Sequence, residues 1–297
     1  MVSEGVAAPD QEILRDVREF YDSVGWSQLG EGLYQNARYE DLRPVAQDYI
    51  RRCHLRVKRY LPERGRLLLD AGSGPIQYPE YLEYSRGYAR RVCLDVSKLA
   101  LEEARARIGG HGWFVIGDIS RLPFSEGSFD GVVSLHTVHH VPAEQQGRAF
   151  WEIHRVQATG SRAVVVYSWG SHSVLMRLFQ WPIRMAERLI ARRSHGPQTA
   201  RDLKLDPHAK SPGTFTHHHD SSWIKGQLDR LQDYEIVVWR SVSTAFMRSL
   251  VHRKAFGDGF LRLIYRIEEL APHLMGSWGQ YPMIILGKPS LKTGGTS

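Results

Sequence analysis

The chain has 297 residues, 42% of them hydrophobic, a formal charge of +7 and two cysteines. That length and apolar content are enough to bury a large core. Two cysteines exclude a disulfide framework and a multi-cysteine zinc site, and they fit a reducing cytoplasm. The sequence does not open with a basic start and an apolar run, and nowhere do ~18 apolar residues run uninterrupted, so neither secretion nor a spanning helix is expected. The charge is concentrated: from Gly170 to Phe215 eight Arg or Lys stand against three Asp or Glu.

In chain order, a first helix is expected over 10–21. A second is expected over 44–61, where Ala46, Tyr49, Ile50, Cys53, Val57, Tyr60 and Leu61 recur at helical spacing. Five short apolar runs follow between Arg66 and Trp169: RLLLD, RRVCLD, GWFVIGD, FDGVVSL and RAVVVYSW. Strands separated by helix-like stretches imply parallel pairing with crossovers. Beyond Trp169 come a basic, proline-punctuated insert, a helix near 222–231, a strand YEIVVW, a long helical stretch over 244–270 and a last strand YPMIILG. The expected fold class is α/β: a doubly wound, seven-stranded, mostly parallel sheet with N-terminal helices and helical cap inserts. The expected divisions are an N-terminal lid (1–62), the core (63–169), a basic amphipathic cap (170–218), the rest of the sheet (219–290) and a disordered tail (291–297).

LLLDAGSGP ends its strand on Asp70 and continues through Gly72, Ser73, Gly74 and Pro75. Glycines there permit a tight turn and close backbone approach to a ligand, although a glycine pair after a strand is often only a turn. Asp95 ends the next strand, 23 residues beyond Gly72, close to the interval at which an acid accepts from ribose hydroxyls. Asp118 ends the third, where a carboxylate can accept from an adenine amine beside Ile119 and Leu122, or can cap a helix.

This ordered set resembles the class I S-adenosylmethionine-dependent methyltransferases, particularly the group typified by ubiquinone and menaquinone biosynthesis enzymes. LLLDAGSGP matches the first motif, Asp95 the ribose acid, GDISRLPF the adenine block and SFDGVVSLHTVHHVP the fourth motif. The resemblance covers about 66–169 and implies S-adenosylmethionine as cofactor, held by Asp70, Gly72, Ser73, Gly74, Pro75, Asp95, Val96, Asp118, Ile119, Leu135 and His136. It also implies an N-terminal lid, in which Tyr21, Tyr34 and Arg38 or Tyr39 would cover the cofactor's methionine carboxylate or the acceptor, unless those aromatics simply pack on the sheet. The family's third glycine falls at Ile76, so packing below the loop must differ. A hydride-transferring oxidoreductase would share the first turn and Asp95 but neither later block.

Histidines are the candidate bases, because imidazole titrates near neutrality. His136, His139 and His140 follow the fourth strand, and His136 is the leading candidate; in the resembling group the His139–Val141 stretch often has no catalytic duty. His217, His218, His219 and Asp220 invite a metal reading, but adjacent residues of an extended segment point to alternate sides. No metal is expected: Asp220 is read as a helix cap and His218 as facing the substrate. The segment 174–193 combines large apolar residues with Arg177, Arg184, Arg188, Arg192 and Arg193. It can cap the pocket or lie peripherally in a membrane interface.

The resulting expectation is a cytoplasmic, membrane-peripheral or soluble enzyme. It would methylate an oxygen or carbon of a small, partly apolar acceptor: a lipid, quinone-like, polyketide or glycan-linked metabolite. RNA and protein methylation are the alternatives, with nucleic acid disfavoured because no RNA-binding module flanks the core. A scaffold that binds the cofactor without catalysis is the alternative of another class. Oligomeric state does not follow from the sequence.

Overall fold

The computed structural model describes residues 8–26, 28–30, 33–34, 40–193, 214–231, 233–252 and 256–289, with backbone alone at 8–9, 28–30, 33–34 and 190–193. The helices are α1 (Ala8–Phe20), α2 (Pro44–Arg56), α3 (Lys98–Ile108), α4 (Gln146–Val156), α5 (Val174–Leu178), α6 (Gln180–Arg193), α7 (Ser221–Leu228), α8 (Thr244–Leu250), α9 (Gly257–Leu270) and α10 (Pro272–Trp278). A short strand β1 (Gln28–Gly30) pairs antiparallel with β2 (Leu33–Tyr34). The main sheet contains β3 (Gly65–Ala71), β4 (Tyr88–Asp95), β5 (Gly112–Ile116), β6 (Phe129–Leu135), β7 (Gln157–Val166), β8 (Tyr234–Arg240) and β9 (Tyr281–Gly287).

The sheet order is β5-β4-β3-β6-β7-β9-β8. The first five strands are parallel, and β9 runs antiparallel to both β7 and β8. All seven apolar runs of the sequence are therefore strands of one sheet. Their side chains alternate between two cores, as a period of two requires. Leu68, Cys93, Val133 and Val164 pack toward α2, α8 and α9, while Leu69, Val92, Val132 and Val165 pack toward α4 and α7. Burial on both faces explains why these strands read as unbroken Val/Leu/Ile runs.

Local chemistry sets the helix ends. Pro44 occupies the first turn of α2, and Arg43 behind it forks onto Asp41 at 2.8 and 2.7 Å. Ser97 caps α3 by accepting from the Ala100 amide at 3.1 Å, and Asp220 caps α7 by accepting from the Trp223 amide at 2.9 Å.

Three expectations need correction, and one helix was not expected. The helical stretch 44–61 ends its α-helix at Arg56 and tightens into a 3-10 turn over Val57–Tyr60. The glycine turn leads into a 3-10 segment, Pro79–Ser85, instead of an α-helix; Ile76, where the family has glycine, takes a left-handed φ of 55° with its side chain fully buried. The stretch 244–270 is two helices, broken where Val251 turns extended to bury its side chain and Phe256 enters α9 with a φ of 55°. Finally, α10 follows a proline at its first turn, a start signal that the sequence reading passed over.

Candidate functional site

The order of β3 and β6 beside one another reverses the direction in which the strands are added. The crevice at their carboxyl ends is where such sheets hold ligands. A cavity of about 490 Å³ lies there, a size ordinary for a small-molecule site.

One half is built by β3, β4 and the loops after them. Gly72 and Ser73 both donate their amides to the Leu94 carbonyl, at 2.7 and 3.0 Å, which ties the turn to β4. Gly72 has a φ of +78°, and a Cβ there would stand 2.3 Å from the Thr137 side chain. Only glycine fits that position. The Asp95 carboxylate accepts from the Gly74 amide at 2.8 Å and the Ser97 amide at 2.9 Å, one bond on each oxygen. A carboxylate has about four acceptor sites, so it can still take two hydroxyls from the cavity. Burial pushes its pKa up to about 6 against the pull of those two amides, with Asp70 and Asp22 adding repulsion.

Val96, Asp118, Ile119 and Leu135 complete this half. Asp118 accepts from the Ser120 amide at 2.8 Å and the Ser120 hydroxyl at 2.7 Å, so it also shapes its own turn. Asp70 borders the cavity, but its carboxylate is held from below by the buried Arg91 guanidinium, with Nε at 3.1 Å. The glycine cradle, a buried acid with spare acceptor capacity and flat apolar walls suit a nucleoside with a charged tail, which is what the expected cofactor is.

The N-terminal region closes over this half. Leu14, Val17, Phe20, Tyr21 and Trp26 line the cavity. Trp26 lies against Gly74, where an added Cβ would meet its ring at 3.1 Å, and it stacks on Tyr21 at 5.0 Å. The Tyr21 hydroxyl is 3.0 Å from His140 Nε2, while His140 Nδ1 is 2.9 Å from the Phe215 carbonyl. A carbonyl only accepts, so Nδ1 carries the proton and Nε2 accepts from Tyr21. Of the expected lid residues, Tyr34 falls in β2, with its backbone alone described, and Arg38 and Tyr39 lie outside the described residues.

The other half holds the histidines. His136 has a left-handed φ of 56°, pinned by its amide to the Val166 carbonyl at 2.9 Å, and its ring stands edge-on to Trp239 at 4.7 Å and Tyr281 at 5.4 Å. Burial, then the Arg240 charge, lowers its pKa to about 3. His139 is buried and held well below the usual range by burial, with His140 beside it. His218 does not border the cavity: it stacks behind His139 at 5.0 Å and meets the Ser168 carbonyl at 2.9 Å. The expectation that it faces the substrate is overturned, because Gly170 leaves room for its ring on the far side of His139. Among the described residues no cluster of three or more His, Cys, Asp or Glu could hold a metal ion.

Sequence reasoning missed Glu40, Gln77, Tyr78, Tyr81, Arg240 and Tyr281, which line this half. Glu40 pairs with Arg240, whose guanidinium also faces the Tyr281 ring at 4.6 Å. Burial, the largest single influence, would raise the Glu40 pKa, but Arg240 and His54 together outweigh it and hold it at about 2. A charged residue at the carboxyl end of YEIVVWR was the available signal. The cap reading of 174–193 is also corrected: none of its described residues lines the cavity, because Ile183 and Met176 pack into the core beside α8. Thr214 and Thr216, in the later part of the same 170–218 insert, do line it.

The family model described as "Methyltransferase domain" matches residues 69–165. An Encephalitozoon cuniculi protein assigned as a methyltransferase is 40% identical over 89 residues, 30% of this chain and 41% of that one. The malonyl-[acyl-carrier protein] O-methyltransferase of Legionella pneumophila is 31% identical over 123 residues, 40% of this chain and 41% of that one. The chain thus spans less than half the length of these curated relatives. The geranyl diphosphate C-methyltransferase of Streptomyces coelicolor A3(2) superposes with a TM-score of 0.53 at 15% identity, covering 95% of this chain and 99% of that one, and so shares the fold.

Proposed function

We propose, from the match of residues 69–165 to the methyltransferase-domain family model, that the chain is an S-adenosylmethionine-dependent methyltransferase acting on an oxygen or carbon of a small, partly apolar acceptor. The observation that carries this reading is the continuity of the cavity. The glycine turn, Asp95 and Asp118 line the same cavity as Tyr78, Tyr81, Tyr281 and the histidines His136, His139 and His140. A scaffold that binds the cofactor alone has no need of the second half, which here is open and lined by polar groups.

The bound cofactor supplies an electrophilic methyl group on a sulfonium, a good leaving group. The chain's own residues bind and orient. Asp95 takes the ribose hydroxyls, Asp118 the adenine amine, Val96 and Ile119 the faces of the base, and the Gly72–Gly74 backbone the amino-acid end. Tyr21 and Trp26 cover the cofactor and exclude water.

His136 stays uncharged throughout the physiological range, because its pKa is about 3. So weak a base is poorly matched to removing a proton from a phenol or alcohol, whose pKa is far higher. Its part in this reading is to accept a hydrogen bond from the acceptor and hold the nucleophile in line, with proximity supplying most of the rate. The relatives differ in acceptor, so acceptor chemistry is read from the cavity: Tyr78, Tyr81 and Tyr281 suit a flat or aliphatic body, and the Glu40–Arg240 pair a polar end.

His136→Ala should lower turnover by roughly 10- to 100-fold while leaving cofactor affinity within a factor of three, and His136→Gln, which still accepts a hydrogen bond, should recover much of the loss. Single-turnover methylation by mass spectrometry, beside calorimetric cofactor titration, measures both. A loss of 10⁴-fold or more in both variants would mark His136 as a true base.

A further inference from the structure

We propose that the face formed by α5, α6 and the outer side of α9 docks on a lipid surface bearing anionic headgroups. The inference is independent of the acceptor. On α9, the outward residues Phe256, Phe260, Leu263, Ile267 and Leu270 recur every three or four positions, an apolar stripe exposed to solvent. The opposite side of the same helix buries Leu261 and Tyr265 in the core. The helix is therefore apolar on two sides, and the fold covers only one.

Phe256 is 89% exposed and Leu270 86%, and on α5 and α6 Leu178 is 68% and Trp181 72% exposed. Phe256 also sits at a left-handed φ, a strained placement for an aromatic residue that makes no use of its ring within the described chain. The two stripes meet. Buried Phe246 of α8 holds Phe179 edge-on at 5.1 Å and stacks on Phe260 at 6.3 Å.

Charge decides what covers this face. Arg177, Arg184, Arg188, Arg262 and Arg266 are exposed on these helices, and none is in an ion pair among the described residues. Other surface arginines of the chain, such as Arg52 and Arg86, do hold carboxylates. A second copy meeting the first about a two-fold axis would bring these arginines against their own images. Nucleic acid would satisfy the arginines but would leave the Leu and Ile side chains with nothing to pack against. A bilayer with anionic lipid meets both needs: apolar side chains sink below the headgroups, and arginine stems lie along them with their charges at the phosphates. Among the described residues no helix is long and apolar enough to cross a membrane, so the contact is peripheral.

The test is co-sedimentation of the full chain with vesicles of phosphatidylcholine alone and with one third phosphatidylglycerol, at low and high salt. Retention on the anionic vesicles only, reversed by salt, is expected. Arg177→Gln, Arg184→Gln and Arg188→Gln combined should weaken partitioning on the order of 100-fold, about 5-fold for each charge. Leu178→Ser with Trp181→Ser should also weaken it, with the charges intact. Both variants should bind S-adenosylmethionine as the parent does, or show the parent's thermal unfolding if no form binds it, which separates docking from misfolding and from the proposed activity. Absence of retention, equal retention on both vesicle types or full retention by both variants would overturn the proposal. A concentration-dependent dimer abolished by Leu178→Ser and Trp181→Ser, without vesicle binding, would assign the face to a second copy instead.

Discussion

Asp95 carries two obligations at once. Its carboxylate anchors the turn through the Gly74 and Ser97 amides, and its remaining acceptor capacity faces the cavity, with a pKa pushed up to about 6 by burial. Hydroxyls donate to the ionised form, so cofactor affinity should weaken as pH falls through 6, approaching tenfold per pH unit below it. Asp95→Ala should cost about 1.5 to 3 kcal/mol of binding and remove that pH dependence. Calorimetric titrations between pH 8 and pH 5 check both, and a parent affinity flat across the range would contradict the assignment. Asp95 was legible in the sequence because a strand end and a glycine turn fix its place within a few residues. Arg240 and Glu40 were not, since their pairing joins residues 200 positions apart that share no local pattern.

Elements were legible where burial on both faces forces apolar runs, so every strand of the main sheet could be read from the sequence. Helix ends were harder. The break between α8 and α9 depends on Val251 leaving the helix to fill the core, a tertiary demand that overrides local propensity. The same tertiary logic governs the β3–β4 pair, where Arg91 is fully buried under the glycine turn with Asp70, and its Nη1 also donates to the Tyr81 carbonyl at 2.6 Å. Arg91→Ala would leave the Asp70 carboxylate buried without its countercharge. That should cost about 3 to 5 kcal/mol of folding stability. Urea unfolding followed by circular dichroism measures it, and a loss under 1 kcal/mol would show that the pair contributes little.

Over the whole molecule, burial of uncharged histidines beneath the lid makes the fold acid-sensitive. His136 and His140 are lowered from 6.5 to about 3 and about 4, and His139 lies well below its usual value. The unfolded chain takes up these protons below pH 6.5 and the folded chain does not, so stability is greatest above 6.5 and falls as pH drops from there toward 4. Asp95, raised in the fold, acts in the opposite sense below pH 6 and offsets one of the three. The net loss should approach roughly 2 to 3 kcal/mol per pH unit. Urea midpoints at pH 7.5, 6 and 5 report it, and a midpoint unchanged to pH 5 would contradict the burial of these rings.

The continuity of the cavity, with a cofactor half and an acceptor half under one lid, is the feature on which the functional reading turns. Isothermal titration with S-adenosylmethionine and its demethylated product, with NAD as control, tests it most directly. Micromolar binding of the first two, lost in Asp95→Ala, is the predicted result; binding of NAD alone, or of none of the three, would contradict it.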